Sequence, residues 1–454
     1  MDNTEFYRRI WEILDRRYCR KAMPTEQFLP PDVLDRQLDI AIPTQGIDID
    51  TLLGKLETLL TYTPNTRQPG YMTTLFGGRV EAAYAGKLVT AIANNAMHTY
   101  KAAGSQILVE HAVMAFMLEL ADFPHGEGSM TPGGTASNFI AMKLAREHAA
   151  PGAEMHGWDG RRYRAYTSAA SHYAIKAAAG NIGLGEHNLV NVPVTANGKM
   201  DVRALAECIH ADRQAGFLPF YLNATVGTSV LGAIDPVAEM ASVARRENLW
   251  LHLDAAFGGS LLLNQGMRDR IGCVHAASVS WDAHKMMGIP LTCSVLLVRE
   301  RGWLDKAFQA PAQGDYLFQT YQEYNPGRNS NQCARTNDAL PLWMALQHLG
   351  RDGYEARTER QLALARYAAG RIIEHPDMVL YIKPETINVC FRSRHLDSKT
   401  VCRILDEAHG IKLSFAQLDQ HNYIRLVCVN PDMDETFIDD LMDRIHRIAI
   451  GKSS

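Results

Sequence analysis

From about residue 160 the chain alternates between two kinds of apolar pattern. Tyr163–Thr167, Leu189–Val194, Leu218–Ala224 and Leu249–Leu253 are short, mostly apolar stretches that read as strands, the last with the look of a buried one. Between them, Tyr173–Ala179, Val202–Gln214 and Pro236–Arg246 place apolar residues at helical spacing. Ala277–Trp281 and Cys293–Val298 read as two further strands, and Gln106–Leu120 as a strongly apolar helix. Alternation of this kind predicts an α/β fold whose central sheet is mostly parallel, with helices on both faces. Ligands of such sheets bind beyond the carboxyl ends of the strands, and Thr225, Asp254 and Asp282 fall there.

The flanks read differently. Residues 1–66 are helical in patches, with Phe6, Ile10, Ile13 and Leu14 at helical spacing, but Pro24, Pro30, Pro31 and Pro43 interrupt them. A segment this short and broken cannot build its own core, so residues 1–69 are expected to lie on something else, as a dimer-forming N-terminal segment. Residues 70–350 would form the large domain. Within it, 312–335 is a polar stretch with Gly and Pro that reads as a long lid loop. After Gly350 a helix leads into a small C-terminal α+β domain, 351–454. Its expected strands are Glu385–Phe391 and Tyr423–Val429, and its expected helices Thr400–His409 and Glu435–Ile448.

Composition narrows the function. The 454 residues are 46% hydrophobic and 21% charged, with net charge −4. No basic tract is present, so nucleic acid is not an expected partner. The eight cysteines form no CxxC pair and no metal-ligand spacing, which suits free thiols in a reducing compartment. The N-terminus is charged and amphipathic without an apolar signal core, and no run of 18 apolar residues occurs. No membrane association is expected, and the location expected is cytoplasmic.

The candidate chemistry sits at two strand ends. Asp254 closes a buried strand, where an unpartnered carboxylate is costly. Lys285 follows the next one, in Asp282-Ala283-His284-Lys285. An acid and a lysine alone could as well form a structural ion pair. They also suit pyridoxal phosphate chemistry, in which a lysine forms a Schiff base with the cofactor's aldehyde and an aspartate keeps the pyridine nitrogen protonated. Upstream, Ser129–Asn138 is a Gly-rich turn with hydroxyls just before a helical run. It offers free amides and a positive dipole end to a phosphate, or simply an N-capped helix.

These pieces occur together in SMTPGGTASN (129–138), SHY (171–173), NATVGTSVLGAIDP (223–236), HLDAAFGG (252–259), WDAHKMMG (281–288), YLFQ (316–319), QCAR (332–335), NVCF (388–391) and IRLVCVNP (424–431). In that order, over residues 65 to 450, the sequence resembles the group II pyridoxal phosphate-dependent amino acid decarboxylases, which act on glutamate, cysteine sulfinate or aromatic amino acids. The resemblance implies a fold-type I transferase architecture and a homodimer with its active site at the subunit boundary. It implies that Lys285 is the Schiff-base lysine, that Asp254 pairs with the pyridine nitrogen, and that His172 stacks on the ring. Thr135 and Ala136 would hold the phosphate, Thr225 would touch the cofactor, Ala256 would pack on the ring, and His284 would reach phosphate or substrate. Tyr324 would be the lid tyrosine that protonates Cα, with Tyr316 and Tyr321 as fallbacks. Arg425, mid-strand in YIRLVCV, would grip the substrate carboxylate bidentately.

Two departures bear on the substrate and the cofactor. Where glutamate and cysteine sulfinate enzymes usually carry an asparagine–glutamine pair, this chain has Thr73 and Thr74, which reach less far; Thr74 is the substrate-binding candidate. The asparagine of the usual NPHK is Asp282, to which no phosphate role is assigned. The expected activity is α-decarboxylation of an acidic or related polar L-amino acid (glutamate, aspartate or cysteine sulfinate type) to amine and carbon dioxide. The alternative is another fold-type I reaction, such as decarboxylation coupled to oxidative deamination, aldol cleavage or transamination. An inactive partner subunit would lack a reason to keep Lys285, Asp254 and His172 together.

Overall fold

The computed structural model describes residues 2–19, 28–308, 318 and 320–451. They divide into two compact units. One is Arg79–Ala363 with Pro384–Ile387; the other is Met1–Gly78 with Leu364–Lys383 and Asn388–Ser454.

The first unit is built on a seven-stranded sheet: β1 Glu127–Thr131, β2 Tyr163–Ser168, β3 Leu189–Val192, β4 Leu218–Thr225, β5 Trp250–Asp254, β6 Ser278–Asp282 and β7 Ser294–Val298. The spatial order is β1-β7-β6-β5-β4-β2-β3. The strands from β6 to β3 are parallel, and β7 runs antiparallel to both β6 and β1. The sheet is therefore mostly parallel. Its central strands are buried along their whole length, because helices cover both faces.

Strand β1 has no counterpart in the sequence reading. Glu-Gly-Ser-Met-Thr lacks an apolar run, and it sits at the sheet edge with only its last three residues buried. An edge strand paired on one side needs fewer apolar side chains than a central one. Strands Met378–Leu380 and Ser414–Leu418 likewise have no counterpart there, whereas the elements that the pattern did predict lie within a few residues of their expected bounds. The helices Gln106–Leu120 and Val202–Gln214 have the expected bounds.

The second unit gathers both ends of the chain. Its four-stranded antiparallel sheet has the order β10-β11-β9-β8, from β8 Met378–Leu380, β9 Asn388–Ser393, β10 Ser414–Leu418 and β11 His421–Val427. Helices Ser398–His409 and Glu435–Ala449 belong to it. The N-terminal helices Asn3–Leu14 and Ile49–Thr61 lie in the same unit. Hydrogen bonds tie the intervening segments down: Arg17 donates to the carbonyls of Leu60 and Thr61, Asn65 to that of Arg17, and Asn430 to that of Arg67. Lys412 bridges to Tyr71 beside β10. The N-terminal segment is thus joined to the C-terminal part of the same unit by polar backbone and side-chain contacts.

Candidate active site

The cross-strand register builds the site. Thr225 and Asp254 lie side by side at the carboxyl ends of β4 and β5, Ser280 lies beside Asp254 within β6, and Asp282, at the end of β6, pairs with Ser294 one strand further on. Residues separated by dozens of positions become neighbours because parallel strands stop at one edge. Beyond that edge is a cavity of about 210 Å³. Its wall includes Thr135, His172, Thr225, Asp254, Ala256, His284 and Lys285.

Asp254 is 4% exposed. Its carboxylate accepts hydrogen bonds from Asn138 Nδ2 at 3.0 Å, the Ala256 amide at 3.2 Å and Ser280 Oγ at 3.2 Å. Behind it runs a buried chain whose direction is set at the carboxylate. The Asp254 carboxylate accepts, so Asn138 turns its amide hydrogens to it and its Oδ1 to His252 Nε2 at 2.9 Å. Nε2 therefore carries the ring proton, and Nδ1 of the neutral ring accepts the Ser278 hydroxyl at 2.8 Å. Ser278 Oγ in turn accepts from Trp250 Nε1 at 2.9 Å. Burial pushes His252 down to about 3, so the imidazole is neutral and the chain holds one polarity. The sequence reading passed over Asn138 and His252, though both lie inside the motifs it singled out.

Lys285 follows β6 in a tight turn, with Nζ 3.1 Å from Asp282 Oδ2. Asp282 is 2% exposed, and its Oδ1 has no hydrogen-bond partner. The departure from the family's asparagine thus puts a buried carboxylate beside the lysine. His284 accepts the Cys293 amide at Nδ1, leaving Nε2 3.7 Å from Asp282. Burial lowers the pKa of His284, against the pull of Asp282.

His172 caps the helix Tyr173–Asn181, and its Nδ1 accepts the Ala174 amide at 3.2 Å. Its other nitrogen therefore carries the proton. Burial lowers its pKa, with Asp254 acting in the opposite direction. Thr225 is held from behind: its amide donates to Asp235 Oδ2 at 2.8 Å. Asp235 is raised to about 6 by burial, opposed by the two amides of Met200 and Thr225.

The helix Gly134–Ala149 starts at the cavity. The first amides of a helix have no carbonyl of their own helix to bond, and they carry its positive dipole end. Gly134 is required there by space. A Cβ on it would lie 2.7 Å from Asp282 Oδ2 and 3.0 Å from the Ala256 methyl. Ala136, expected to offer its amide to phosphate, instead donates it to the Gly133 carbonyl at 2.9 Å. It is not among the residues of the cavity wall. A helix N-terminus, a threonine hydroxyl, a lysine, and a buried aspartate pre-oriented by three donors are the groups that pyridoxal phosphate requires, so the residues present fit this cofactor.

Tyr324 does not line this cavity. It closes a short turn, Gln322–Tyr324, with its ring stacked on His111 at 5.2 Å and edge-on to Tyr100 at 6.0 Å. Tyr321 is 62% exposed, with its ring against Tyr100. Tyr316 and most of YLFQ lie outside the described residues.

Arg425 belongs to the second unit, in β11 between Ser414 of β10 and Cys390 of β9. Its Nη1 donates to Ser414 Oγ at 3.0 Å and to the Thr73 carbonyl at 3.2 Å, while its buried Nε has no partner. Among the described residues no carboxylate forms an ion pair with it. Burial lowers its pKa. Thr73 serves through its carbonyl, and the Thr74 hydroxyl donates within its own turn to the Phe76 carbonyl at 2.8 Å.

Fold and cavity together define a fold-type I pyridoxal phosphate enzyme. Residues 31–394 match the model of the pyridoxal-dependent decarboxylase conserved domain. The chain is 33% identical to the acidic amino acid decarboxylase GADL1 of Mus musculus, over 93% of this chain and 81% of that protein. It is 32% identical to the cysteine sulfinic acid decarboxylase of Rattus norvegicus, over 93% of this chain and 90% of the relative. The crystal structure of mouse CSAD superposes with a TM-score of 0.94 at 28% identity, covering 98% of each chain. The chain belongs to the pyridoxal-dependent decarboxylase family. It is a carboxy-lyase that uses pyridoxal 5'-phosphate to decarboxylate an amino acid.

Proposed function

We propose that this enzyme α-decarboxylates an acidic L-amino acid of the glutamate, aspartate or cysteine sulfinate type, releasing amine and carbon dioxide. The observation that carries the reading is the similarity, along 93% of the chain, to relatives named for acidic amino acids. The bound cofactor supplies an electron-accepting ring to which the substrate amine is joined, so that the Cα–carboxylate bond can break. In this reading Asp254 is the fixed negative charge at the ring nitrogen. Its three donors keep it correctly turned. Lys285 joins the cofactor, His172 presents a neutral ring to it, and Thr225 and Ala256 set its position. Thr135 and the helix start hold the phosphate, and His284 lies beside it.

Arg425 is assigned to the substrate carboxylate. A half-buried guanidinium with a buried, unused Nε and no acid partner among the described residues is poorly satisfied until an anion arrives. Thr74 is the nearby side chain assigned to the substrate. Tyr324 is assigned as the group that delivers a proton to Cα.

The reading includes a homodimer. Leu88, Val89, Ile92 and Leu108 expose large apolar surfaces on the first unit, and Tyr7 and Trp11 do so on the second. Exposed apolar clusters of this kind suit an interface. Tyr324, absent from its own chain's cavity wall, would then serve the partner's cavity. Among the described residues no helix is long and apolar enough to cross a membrane, and all eight cysteines are free. Free thiols fit the cytoplasm, which is the location proposed.

The experiment is a panel of acidic, sulfinic, aromatic and basic amino acids incubated with the holoenzyme. Carbon dioxide and amine are counted against aldehyde and ammonia. Acidic or sulfinic substrates should give equal amine and carbon dioxide. Turnover confined to aromatic or basic substrates, or aldehyde as the main product, would overturn the proposal.

A further inference from the structure

Outside the active site, the second unit brings together four side chains from three separate stretches of the chain. His375 and Asp377 lie in the turn leading into β8, His395 in the turn after β9, and His446 near the end of the helix Glu435–Ala449. Asp377 sits among the histidines. Its Oδ1 is 2.9 Å from His395 Nε2, and its Oδ2 is 3.6 Å from His446 Nδ1. The rings of His375 and His446 are 4.7 Å apart between centroids. One ligand atom from each of His375, Asp377 and His446 falls within 4.8 Å of the others.

We propose that His375, Asp377 and His446 form a zinc-binding site that ties the turn after the long helix ending at Glu374 to the C-terminal helix. Two imidazoles and one carboxylate make a donor set that zinc prefers, with a fourth position left for water. Bonds of about 2.0–2.1 Å in a tetrahedron place neighbouring ligand atoms roughly 3.3 Å apart. The His446–Asp377 separation of 3.6 Å is already near that value, and all three ligand atoms lie within 4.8 Å of one another.

The surroundings favour the arrangement. The His375 Nδ1 accepts the Asp377 amide at 3.2 Å, which fixes the ring and leaves Nε2 as its ligand atom. The Arg394 amide donates to the Asp377 carbonyl at 2.8 Å, clamping the two turns together. His395 holds the outer carboxylate oxygen as an orienting partner, in the manner of groups that support metal ligands from behind.

The test uses untagged holoenzyme stripped with EDTA and dialysed against buffered zinc, with zinc counted by mass spectrometry. One zinc per chain is expected at low micromolar free zinc, with a higher thermal midpoint. His446→Gln and His375→Ala should each weaken binding at least 10-fold, and His395→Ala by about 10–100-fold. Cofactor absorbance and decarboxylase turnover should stay at wild-type levels in all three, which shows that they fold. If His446→Gln fails to fold, His375→Ala, which alters only a surface turn, carries the test. No zinc retained at 100 µM, or retention equal in wild type and the folded variants, would overturn the site and assign any bound zinc elsewhere.

Discussion

Asn138 offers the sharpest test of how Asp254 is held. Replacing it by alanine removes the 3.0 Å hydrogen bond to the Asp254 carboxylate and the acceptor of the 2.9 Å bond from His252. Losing a hydrogen bond to a charged group costs about 1.5–3 kcal/mol, and leaving the fully buried His252 N–H without a partner costs about 1–3 kcal/mol. The expected loss of folding free energy is therefore about 2.5–6 kcal/mol. Because Trp250, Ser278, His252 and Asn138 form one directed chain, the effects of Asn138→Ala and His252→Leu should not add. Their coupling should be about 0.5–3 kcal/mol. Urea unfolding of the apoenzyme as wild type, both single variants and the double variant measures it. Cofactor titration of the same proteins should show weaker binding in Asn138→Ala, since Asp254 keeps only two of its three donors. Additivity within about 0.5 kcal/mol, with unchanged cofactor affinity, would refute the chain as drawn.

Three further outcomes follow from the same geometry. Borohydride reduction of the holoenzyme should attach the cofactor to Lys285, and Lys285→Ala should abolish both the labelling and activity; label on another lysine would refute the assignment. Tyr324→Phe should slow amine formation by about 10²–10⁴-fold while carbon dioxide release suffers less and aldehyde accumulates; an unchanged rate and product ratio would remove Tyr324 from the reaction. Stability should depend on His252, whose folded value of about 3 lies below the ordinary 6.5. The unfolded chain binds a proton below 6.5 that the folded chain refuses, so this contribution is complete above pH 6.5 and falls on acidification towards pH 3. At pH 4.5 the wild type should have lost about 3 kcal/mol relative to His252→Leu, read from urea midpoints. Asp235, raised to about 6, acts the opposite way below that pH in both proteins and cancels from the difference. No change in the difference between pH 7 and 4.5 would sink this account.

The sequence alone determined the strand–helix alternation, because a strand buried on both faces must be apolar along its length whatever its neighbours are. It likewise determined that Asp254 and Lys285 stand at strand ends, since each follows directly on such a run. Local chemistry sufficed for the helix start at Gly134, where glycines and hydroxyls are adjacent in the chain. Three-dimensional packing decided the rest. Thr225, Asp254 and Ser280 share one row only through the register of β4, β5 and β6, and no property of the separate segments encodes register. The polar edge strand β1 is held by β7 rather than by its own composition. Whether the Ala136 amide is free depends on a single turn of backbone geometry, which leaves no mark in composition. Asn138 and His252 look like ordinary polar residues until burial removes water and makes each hydrogen bond obligatory. The grouping of His375, Asp377, His395 and His446 is equally a product of folding, because their chain separations carry no metal-binding period and only packed turns and helices bring them together.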